Sequence, residues 1–122
     1  MRTLPDKIIE LTLPSGAKVN VDANGYLTDQ HDWTPEFTEY RAAVEGITLT
    51  PLHLEVLKFI RGSEQAKGVM PDVRFVFKYL AKRDNLNKAA SKAALYALFP
   101  YGYTGQAIKM AGMKQPRAWS TG

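Results

Sequence analysis

The chain has 122 residues, of which 45% are hydrophobic, and a formal net charge of +4. This length fits one domain whose core can form without disulfides or metal ions. The sequence contains no Cys, which excludes disulfides, thiolate metal sites and thiol nucleophiles. No apolar stretch approaches the roughly 20 residues of a membrane span. The first residues lack the apolar core of a signal peptide, so we expect a cytoplasmic protein without membrane contacts.

The charge is distributed unevenly along the chain. Residues 1–84 carry 11 Lys and Arg against 12 Asp and Glu, whereas residues 85–122 carry five Lys and Arg and no acid. A basic segment without acids favours contact with an anionic partner surface or a nucleic acid backbone. It is equally typical of a solvated terminus, and charge alone leaves both interpretations open.

Two short runs of β-forming residues predict a hairpin within residues 1–24. They cover residues 8–13 and 17–21, and Pro14-Ser15-Gly16 supplies the turn between them. Asp22-Ala-Asn-Gly25 is a second turn signal. An irregular segment is expected from there to Trp33.

Four helices are predicted after this segment. Thr34-Pro35 and Thr50-Pro51 mark the first two starts, because Thr can cap free N–H groups and Pro fits the first helical position. We expect these helices to end at Gly46 and near Gly62. The third helix should begin at about Asp72, and the fourth should cover about residues 88–99 with Asn87 as its cap. The predicted inward faces hold Phe37, Tyr40 and Val44; Leu52, Val56, Phe59 and Ile60; Val73, Phe77 and Leu80; and Ala90, Ala94, Leu95 and Leu98.

Pro100 should end the fourth helix, and Thr104 predicts the cap of a short fifth helix that ends at Gly112. Gly102-Tyr-Thr-Gly105 lacks the Lys-Ser/Thr of a phosphate-binding loop, so we interpret it as a hinge. Residues 113–122 are too short and polar to pack independently, which predicts a flexible, extended C-terminal arm. The expected fold is a single α+β, mostly helical domain, with the hairpin packed on a bundle of four to five short helices.

Candidate catalytic groups are scarce. The two histidines, His31 and His53, are far apart in sequence, and no Gly-x-Ser-x-Gly motif is present. His53 lies beside the apolar stripe of the second helix and is interpreted as a structural histidine. Asp29 and Asp32 near His31 are typical of helix capping rather than of metal binding. We therefore expect no metal site and no cofactor.

The second and third helices could also imitate a helix-turn-helix. The third helix would then expose Arg74, Lys78, Lys82 and Arg83 as phosphate contacts. This helix contains no Asn or Gln for direct base readout. The pattern leaves two interpretations, a solvated helix face and a DNA-binding transcriptional regulator that uses the third helix and the basic C-terminal part. We expect any DNA binding to be weak and indifferent to sequence.

The C-terminal sequence carries the most specific signal. Gln106-Ala107, Lys109, Ala111-Gly112 and Pro116 resemble the arm of the DsrC/TusE family, which comprises dissimilatory sulfite reductase gamma subunits and sulfur carriers of tRNA thiolation. The similarity extends in order and spacing from about Asn24 to the C terminus. The further matching stretches are Gly25-Tyr-Leu-Thr-Asp29, Asp32-Trp33, Glu45–Thr50, His53, Arg61, Pro71, Val73-Arg74 and Leu95–Pro100.

The resemblance implies the family's fold without its chemistry. Family members act through two cysteines on the arm, and Ile108 and Trp119 occupy those positions here. Neither side chain forms a persulfide or a disulfide. The resemblance thus implies a non-catalytic protein, not an enzyme, that binds a sulfurtransferase or a siroheme sulfite reductase. Trp119 would anchor that contact, supported by Arg117, Lys109 and Lys114.

Overall fold

The computed structural model describes residues 7–115. Two antiparallel strands, β1 (Ile9–Thr12) and β2 (Lys18–Val21), form a hairpin. A 3-10 turn at Gln30–Asp32 leads into the helices. The helices in chain order are α1 (Pro35–Glu45), α2 (Pro51–Lys67), α3 (Val73–Asp84), α4 (Lys88–Leu98) and α5 (Ile108–Met110). A π-helical turn at Tyr103–Ala107 runs directly into α5, and the predicted α+β, mostly helical architecture is confirmed.

Side-chain caps start most of the helices. Thr50 accepts a hydrogen bond from the His53 amide, while His53 Nδ1 accepts one from the Thr50 amide at 3.1 Å. The side chains of Asp72 and Asn87 cap α3 and α4 by accepting hydrogen bonds from the Arg74 and Ala90 amides. Within the described residues the Thr34 hydroxyl makes no capping bond, so that part of the prediction is wrong. α1 therefore begins with Pro alone, which needs no donor at this position.

The helix ends depart from prediction at α2. Gly46 ends α1 with a left-handed φ of 73°, as expected. The expected end of α2 near Gly62 is wrong, because the helix continues to Lys67 and Gly68 ends it. A single glycine costs a helix only about 1 kcal/mol, and the buried Leu57 and Ile60 offset that cost.

The apolar side chains form two adjoining cores. The smaller core lies under the hairpin, where Phe37 of α1 is fully buried beside Leu13, Val19, Val21 and Leu27. The larger core joins α2 to α5. Its fully buried members include Val56, Ile60, Val76, Leu80, Leu95, Phe99, Ile108 and Met110. The hairpin thus packs on the bundle through α1, and no helix within residues 7–115 is long and apolar enough to cross a membrane.

The inward faces of α1 and α3 differ in part from the prediction. Val44 is 55% exposed, although its spacing from Phe37 predicts burial. α1 instead buries Phe37, Thr38 and Ala42, so the inward stripe is rotated away from Val44. In α3 the sequence pattern misses the fully buried Val76, because this residue stands within a run of apolar residues that hides the period.

The chain stays packed beyond α5. Met113 is only 1% exposed, and its amide donates to the Ile108 carbonyl at 3.2 Å. The prediction that the arm starts at residue 113 is therefore wrong for Met113, and the exposed stretch begins at Lys114. The predicted hinge at residues 102–105 is also partly packed, since Gly102 and Tyr103 are buried. Thr104 lies inside the π-helical turn and does not cap it.

Truncation of Leu95 tests the larger core. Leu95 is fully buried, and Leu95→Ala should lower the free energy of unfolding by roughly 2–5 kcal/mol because it leaves a cavity. Leu54 is 52% exposed, and the same truncation there should cost under about 0.5 kcal/mol. Urea unfolding measures both values, and equal losses would contradict the assignment of the core.

Candidate functional site: the root of the C-terminal arm

The segment from α5 to Met113 forms the root of the C-terminal arm. Ile108, which the family resemblance predicts to stand at the position of one cysteine, is fully buried and points into the larger core. Met110 and Ala111 are also fully buried. The root is therefore part of the folded body, and its position is set by contacts from elements distant in sequence.

A hydrogen-bond relay holds the end of α5. The Trp33 indole Nε1–H donates to Thr38 Oγ1 at 2.9 Å, and the Thr38 hydroxyl donates to the Met110 carbonyl at 2.7 Å. A carbonyl at a helix C terminus lacks an intrahelical donor. Thr38 supplies that donor, and its burial follows from this role.

Arg61 of α2 holds the next carbonyl. Its Nη1 donates to the Ala111 carbonyl at 2.8 Å, and its guanidinium carbon lies 3.9 Å from the centre of the Trp33 ring. Burial lowers the pKa of Arg61, and the carboxylate of Glu64 opposes that shift. The guanidinium remains charged near neutral pH, so a cation faces the negative end of α5 and stacks on the indole.

Gly112 completes the contact with Trp33. Its φ is 76°, a left-handed conformation that favours glycine. A Cβ built on this residue would lie 2.1 Å from Trp33 Cδ1, so no larger side chain fits. We call Trp33, Thr38, Arg61 and Gly112 the arm clamp. Three of the four stand at positions that match the family pattern.

A charged cluster lies on the other side of α5. Glu45 accepts hydrogen bonds from Arg41 Nη2 at 2.6 Å and from Gln106 Nε2 at 2.8 Å. Lys109 Nζ lies 3.7 Å from Glu45 and 5.2 Å from the centre of the Tyr26 ring. Burial raises the pKa of Glu45, but the Arg41 and Gln106 hydrogen bonds and the nearby cations outweigh it and hold the pKa below its ordinary value. The ammonium of Lys109, a predicted partner-binding residue, is thus already engaged within the domain.

A groove of about 840 Å³ opens beside the arm clamp, between α1 and α2. Trp33, Thr38 and Arg61 belong to both the clamp and the groove wall. The remaining wall is largely apolar and includes Pro35, Leu49, Leu54 and Leu57, with Glu39 and Lys58. The chain therefore leaves the body next to an open apolar surface.

The predicted nucleic-acid residues of α3 differ in how they are paired. Arg74 pairs with Asp72 at 3.0 Å. Arg83 binds both Glu55 and Asp84, and its hydrogen bonds to Glu55 lead the effects that raise its pKa above its usual range. Among the described residues, Lys78 and Lys82 form no ion pair. The four cations share one helix, but two of the charges are already neutralised.

The predicted arm residues are only partly described. Lys114 is exposed beyond the clamp. Trp119 and Arg117 lie outside the described residues, so their predicted role stays a prediction.

Both histidines have structural partners. His53 is 6% exposed, bonds to Thr50, and its Nε2 lies 2.8 Å from the Leu98 carbonyl. This confirms its interpretation as a structural residue. Asp29 accepts from the His31 amide and caps the 3-10 turn. Within residues 7–115 no cluster of three His, Asp or Glu side chains offers a metal site.

The fold and the clamp define a small helical domain in which contacts from α1, α2 and Trp33 hold the end of α5. The family model described as "DsrC like protein" matches residues 14–118, and the chain belongs to this family. The "Sulfurtransferase TusE" of Yersinia pseudotuberculosis serotype I (strain IP32953) is 39% identical over 101 residues. That alignment covers 83% of this chain and 93% of the relative.

Solved structures show the same fold. The oxidized gamma-subunit of the dissimilatory sulfite reductase (DsrC) from Archaeoglobus fulgidus is similar with a TM-score of 0.77 and 30% identity, covering 91% of this chain and 99% of that one. The NMR structure of Allochromatium vinosum DsrC gives a TM-score of 0.78 and 27% identity, covering 93% of this chain and 99% of that one.

Trp33, Arg61 and Gly112 match the family pattern in the sequence, but the sequence does not indicate that they lie close together. That all three belong to the family pattern is the one feature of the sequence that could have pointed to the clamp. Thr38 has no such signal, because a threonine on a helix is ordinary and its burial depends on the distant α5. The groove is not anticipated either, since it lies between two helices whose packing the sequence does not specify.

Substitution of Gly112 tests the clamp. Gly46 has a similar left-handed φ of 73°, but no atom lies within 4 Å of the position that a Cβ would take there. Gly46→Ala should therefore cost only the backbone strain, about 1–2 kcal/mol, whereas Gly112→Ala should cost a further 1–3 kcal/mol, roughly, from overpacking against Trp33. In a Trp33→Ala background the two costs should converge. Urea unfolding measures the free energy of unfolding of each variant. Equal costs in the wild-type background would show that the Trp33 side chain moves aside without a loss of stability.

The pH dependence of stability tests the Glu45 cluster. Because the folded pKa of Glu45 lies below its ordinary value of 4.5, its stabilisation is present above that pH and is lost as the pH falls through the folded pKa. Glu45→Gln should therefore lower stability at pH 7 by about 1 kcal/mol or more and reduce the loss between pH 6 and 3. Denaturant unfolding between pH 3 and pH 7 measures both the stability at neutral pH and its loss in acid. Glu39→Gln, an exposed change on the same helix, should leave the profile unaltered.

Proposed function

We propose that this protein is a cysteine-less, non-catalytic member of the sulfur-relay family that binds and regulates a relay partner. One observation carries the proposal: the arm clamp is built in full, while the chain has no thiol and Ile108 is buried in the core. A device that positions the arm serves binding even when the arm carries no sulfur. Without a thiolate, the protein neither accepts a persulfide nor forms a mixed disulfide.

The names of the relatives indicate the kind of partner. One relative is named a sulfurtransferase, and a structural neighbour is the gamma-subunit of a dissimilatory sulfite reductase. We therefore expect a sulfurtransferase or a siroheme sulfite reductase-type protein as partner. A thiol-free chain that occupies the docking surface would exclude the thiol-bearing carrier and so limit sulfur transfer.

The groove beside the clamp extends this docking surface. Leu54 is 52% exposed on its wall, and Leu49, Leu57 and Pro35 lie nearby. A partner that receives the arm must approach its root, where Trp33 and Arg61 are shared by clamp and groove. We assign the groove to that same partner, whose apolar side chains would be buried there.

Trp119 is the proposed anchor at the far end of the arm. It stands where the family's reactive residue acts, and a buried indole provides a large rigid contact with one donor. Arg117 and Lys114 would add attraction to an acidic rim and affect mainly the association rate. Lys109 should contribute less than the sequence predicts, because Glu45 already holds its ammonium.

The alternative function, a DNA-binding regulator, has less support. Arg74 and Arg83 are paired within the domain, which leaves Lys78 and Lys82 as the cations of the proposed recognition helix without an ion pair among the described residues. This helix has no amide side chain for base readout. This surface therefore does not favour sequence-specific binding to duplex DNA.

Binding to purified candidate partners tests the proposal. At least one sulfurtransferase or siroheme sulfite reductase from the host should bind the wild-type chain in biolayer interferometry. Trp119→Ala should weaken binding by about 30-fold or more, as loss of a central aromatic anchor does. Leu54→Glu should weaken it about tenfold, whereas Val44→Glu, an equally exposed site outside the groove, should not.

Mass spectrometry of the same mixtures separates binding from transfer. After incubation with a persulfide-loaded sulfurtransferase, the chain should gain no sulfur atom because it has no thiol. A stable sulfur adduct, or failure of every candidate of both classes to bind, would contradict the proposed function.

A further inference from the structure

An exposed aromatic ring lies among lysines on the outer face of α3. Phe75 is 46% exposed, and the Nζ atoms of Lys67 and Lys78 each lie 5.5 Å from the centre of its ring. Lys67 comes from the last turn of α2 and Lys78 from α3, so two elements bring their ammonium groups to one ring. We call Phe75, Lys67, Lys78 and Lys82 the aromatic–lysine patch.

The charges of this patch are available for a ligand. Within the described part of the chain, Lys67, Lys78 and Lys82 form no ion pair. Lys78 and Lys82 are four residues apart, which places them about 6 Å apart along the helix. This interval is of the order of the separation of successive phosphates in an extended nucleic acid strand. The patch therefore pairs a flat apolar surface with a row of unneutralised cations.

The geometry points to single-stranded nucleic acid as the ligand of the aromatic–lysine patch. An unpaired base would stack on Phe75 while the flanking phosphates contact Lys67, Lys78 and Lys82. Proteins that bind single strands without sequence preference combine these two elements, an aromatic platform and a basic track. The absence of Asn and Gln from α3 is consistent with such binding, which needs no base-edge readout.

Duplex DNA and a membrane fit the patch less well. Bases in a duplex are stacked on one another, so the Phe75 ring would have no partner there. An interfacial membrane helix needs a broad apolar face, whereas Phe75 is followed on its exposed side by Lys78 and Lys82. The exposed Val69 in the preceding loop adds only one small side chain. The experiment below distinguishes binding to duplex DNA or to a membrane from binding to a single strand.

Fluorescence anisotropy with labelled oligonucleotides tests the inference on the full-length chain. The probes are a 12-nucleotide oligo-deoxythymidine, a 12-nucleotide oligo-uridine and a 12-base-pair duplex. Both single strands should bind more tightly than the duplex, and their affinities should fall with salt. Phe75→Ala should weaken single-strand binding about fivefold or more at constant salt, while Phe75→Tyr should retain it. Lys78→Gln should reduce the salt dependence by about one ion.

Tyr96→Ala is the matched control. Tyr96 is also 46% exposed, but among the described residues no ammonium lies over its ring. This substitution should leave binding unchanged, and circular dichroism establishes that each variant is folded. Trp119→Ala and Leu54→Glu should also bind the oligonucleotides normally, because the patch is independent of the arm and groove. Loss of partner binding alone would thus leave this inference standing.

Three results would overturn the inference. Equal binding of duplex and single strand, unaffected by Phe75→Ala, would indicate phosphate attraction alone. Failure to bind either single strand at low salt would show that single-stranded nucleic acid is not the ligand of the patch. Phe75-dependent binding to phosphatidylserine vesicles without oligonucleotide binding would assign the patch to a membrane surface instead.

Discussion

The contact between the Trp33 ring and the backbone of Gly112 is the constraint on which the arm root depends. The indole lies where a side chain at residue 112 would stand, and the Thr38 hydroxyl and the Arg61 guanidinium fix the ring from two directions. Both of these groups also bind carbonyls at the end of α5. The segment before α1, the helices α1 and α2, and the C-terminal segment are thereby joined at one place. The direction in which the chain leaves the body follows from that junction.

The isoleucine at position 108 gives this junction an apolar side chain and no thiol. At position 108 an isoleucine contributes apolar burial to the core, a gain of roughly 1.5–3 kcal/mol for a side chain of this size. A position where the family resemblance predicts a cysteine thus contributes to stability here. The charged cluster around Glu45 and the clamp around Gly112 both contact α5, the first through Lys109 and the second through the Met110 carbonyl. These contacts would favour the binding role that we propose, because pre-organisation reduces the entropy lost on binding.

Local signals in the sequence predict most of the fold and little of the site. The turn at Pro14-Ser15-Gly16, the Thr50 cap and the Asn87 cap act within a few residues, and the structure confirms all three. The continuation of α2 past Gly62 and the exposed position of Val44 depend on which neighbours the helices meet, which no local pattern encodes. Gly102 and Gly105 predict a hinge, but the buried Gln106 holds the π-helical turn in place. That side chain accepts from the Tyr101 amide and donates to Glu45, so it stabilises the turn by contacts with another helix.

Residues 85–122 contain no acid, and an acid of α1 supplies the counter-charge for one of their cations. Glu45 neutralises Lys109, and beyond the clamp the sequence supplies Lys114 and Arg117 without an acid. On α3, by contrast, Glu55 and Asp84 neutralise Arg83 and leave Lys67, Lys78 and Lys82 unpaired among the described residues. α3 contributes no residue to the clamp, and at physiological salt charges further apart than about 8 Å are largely screened from one another. The two ligands that we propose would therefore contact different basic regions, a partner protein beside the apolar groove and a single strand at the Phe75 ring.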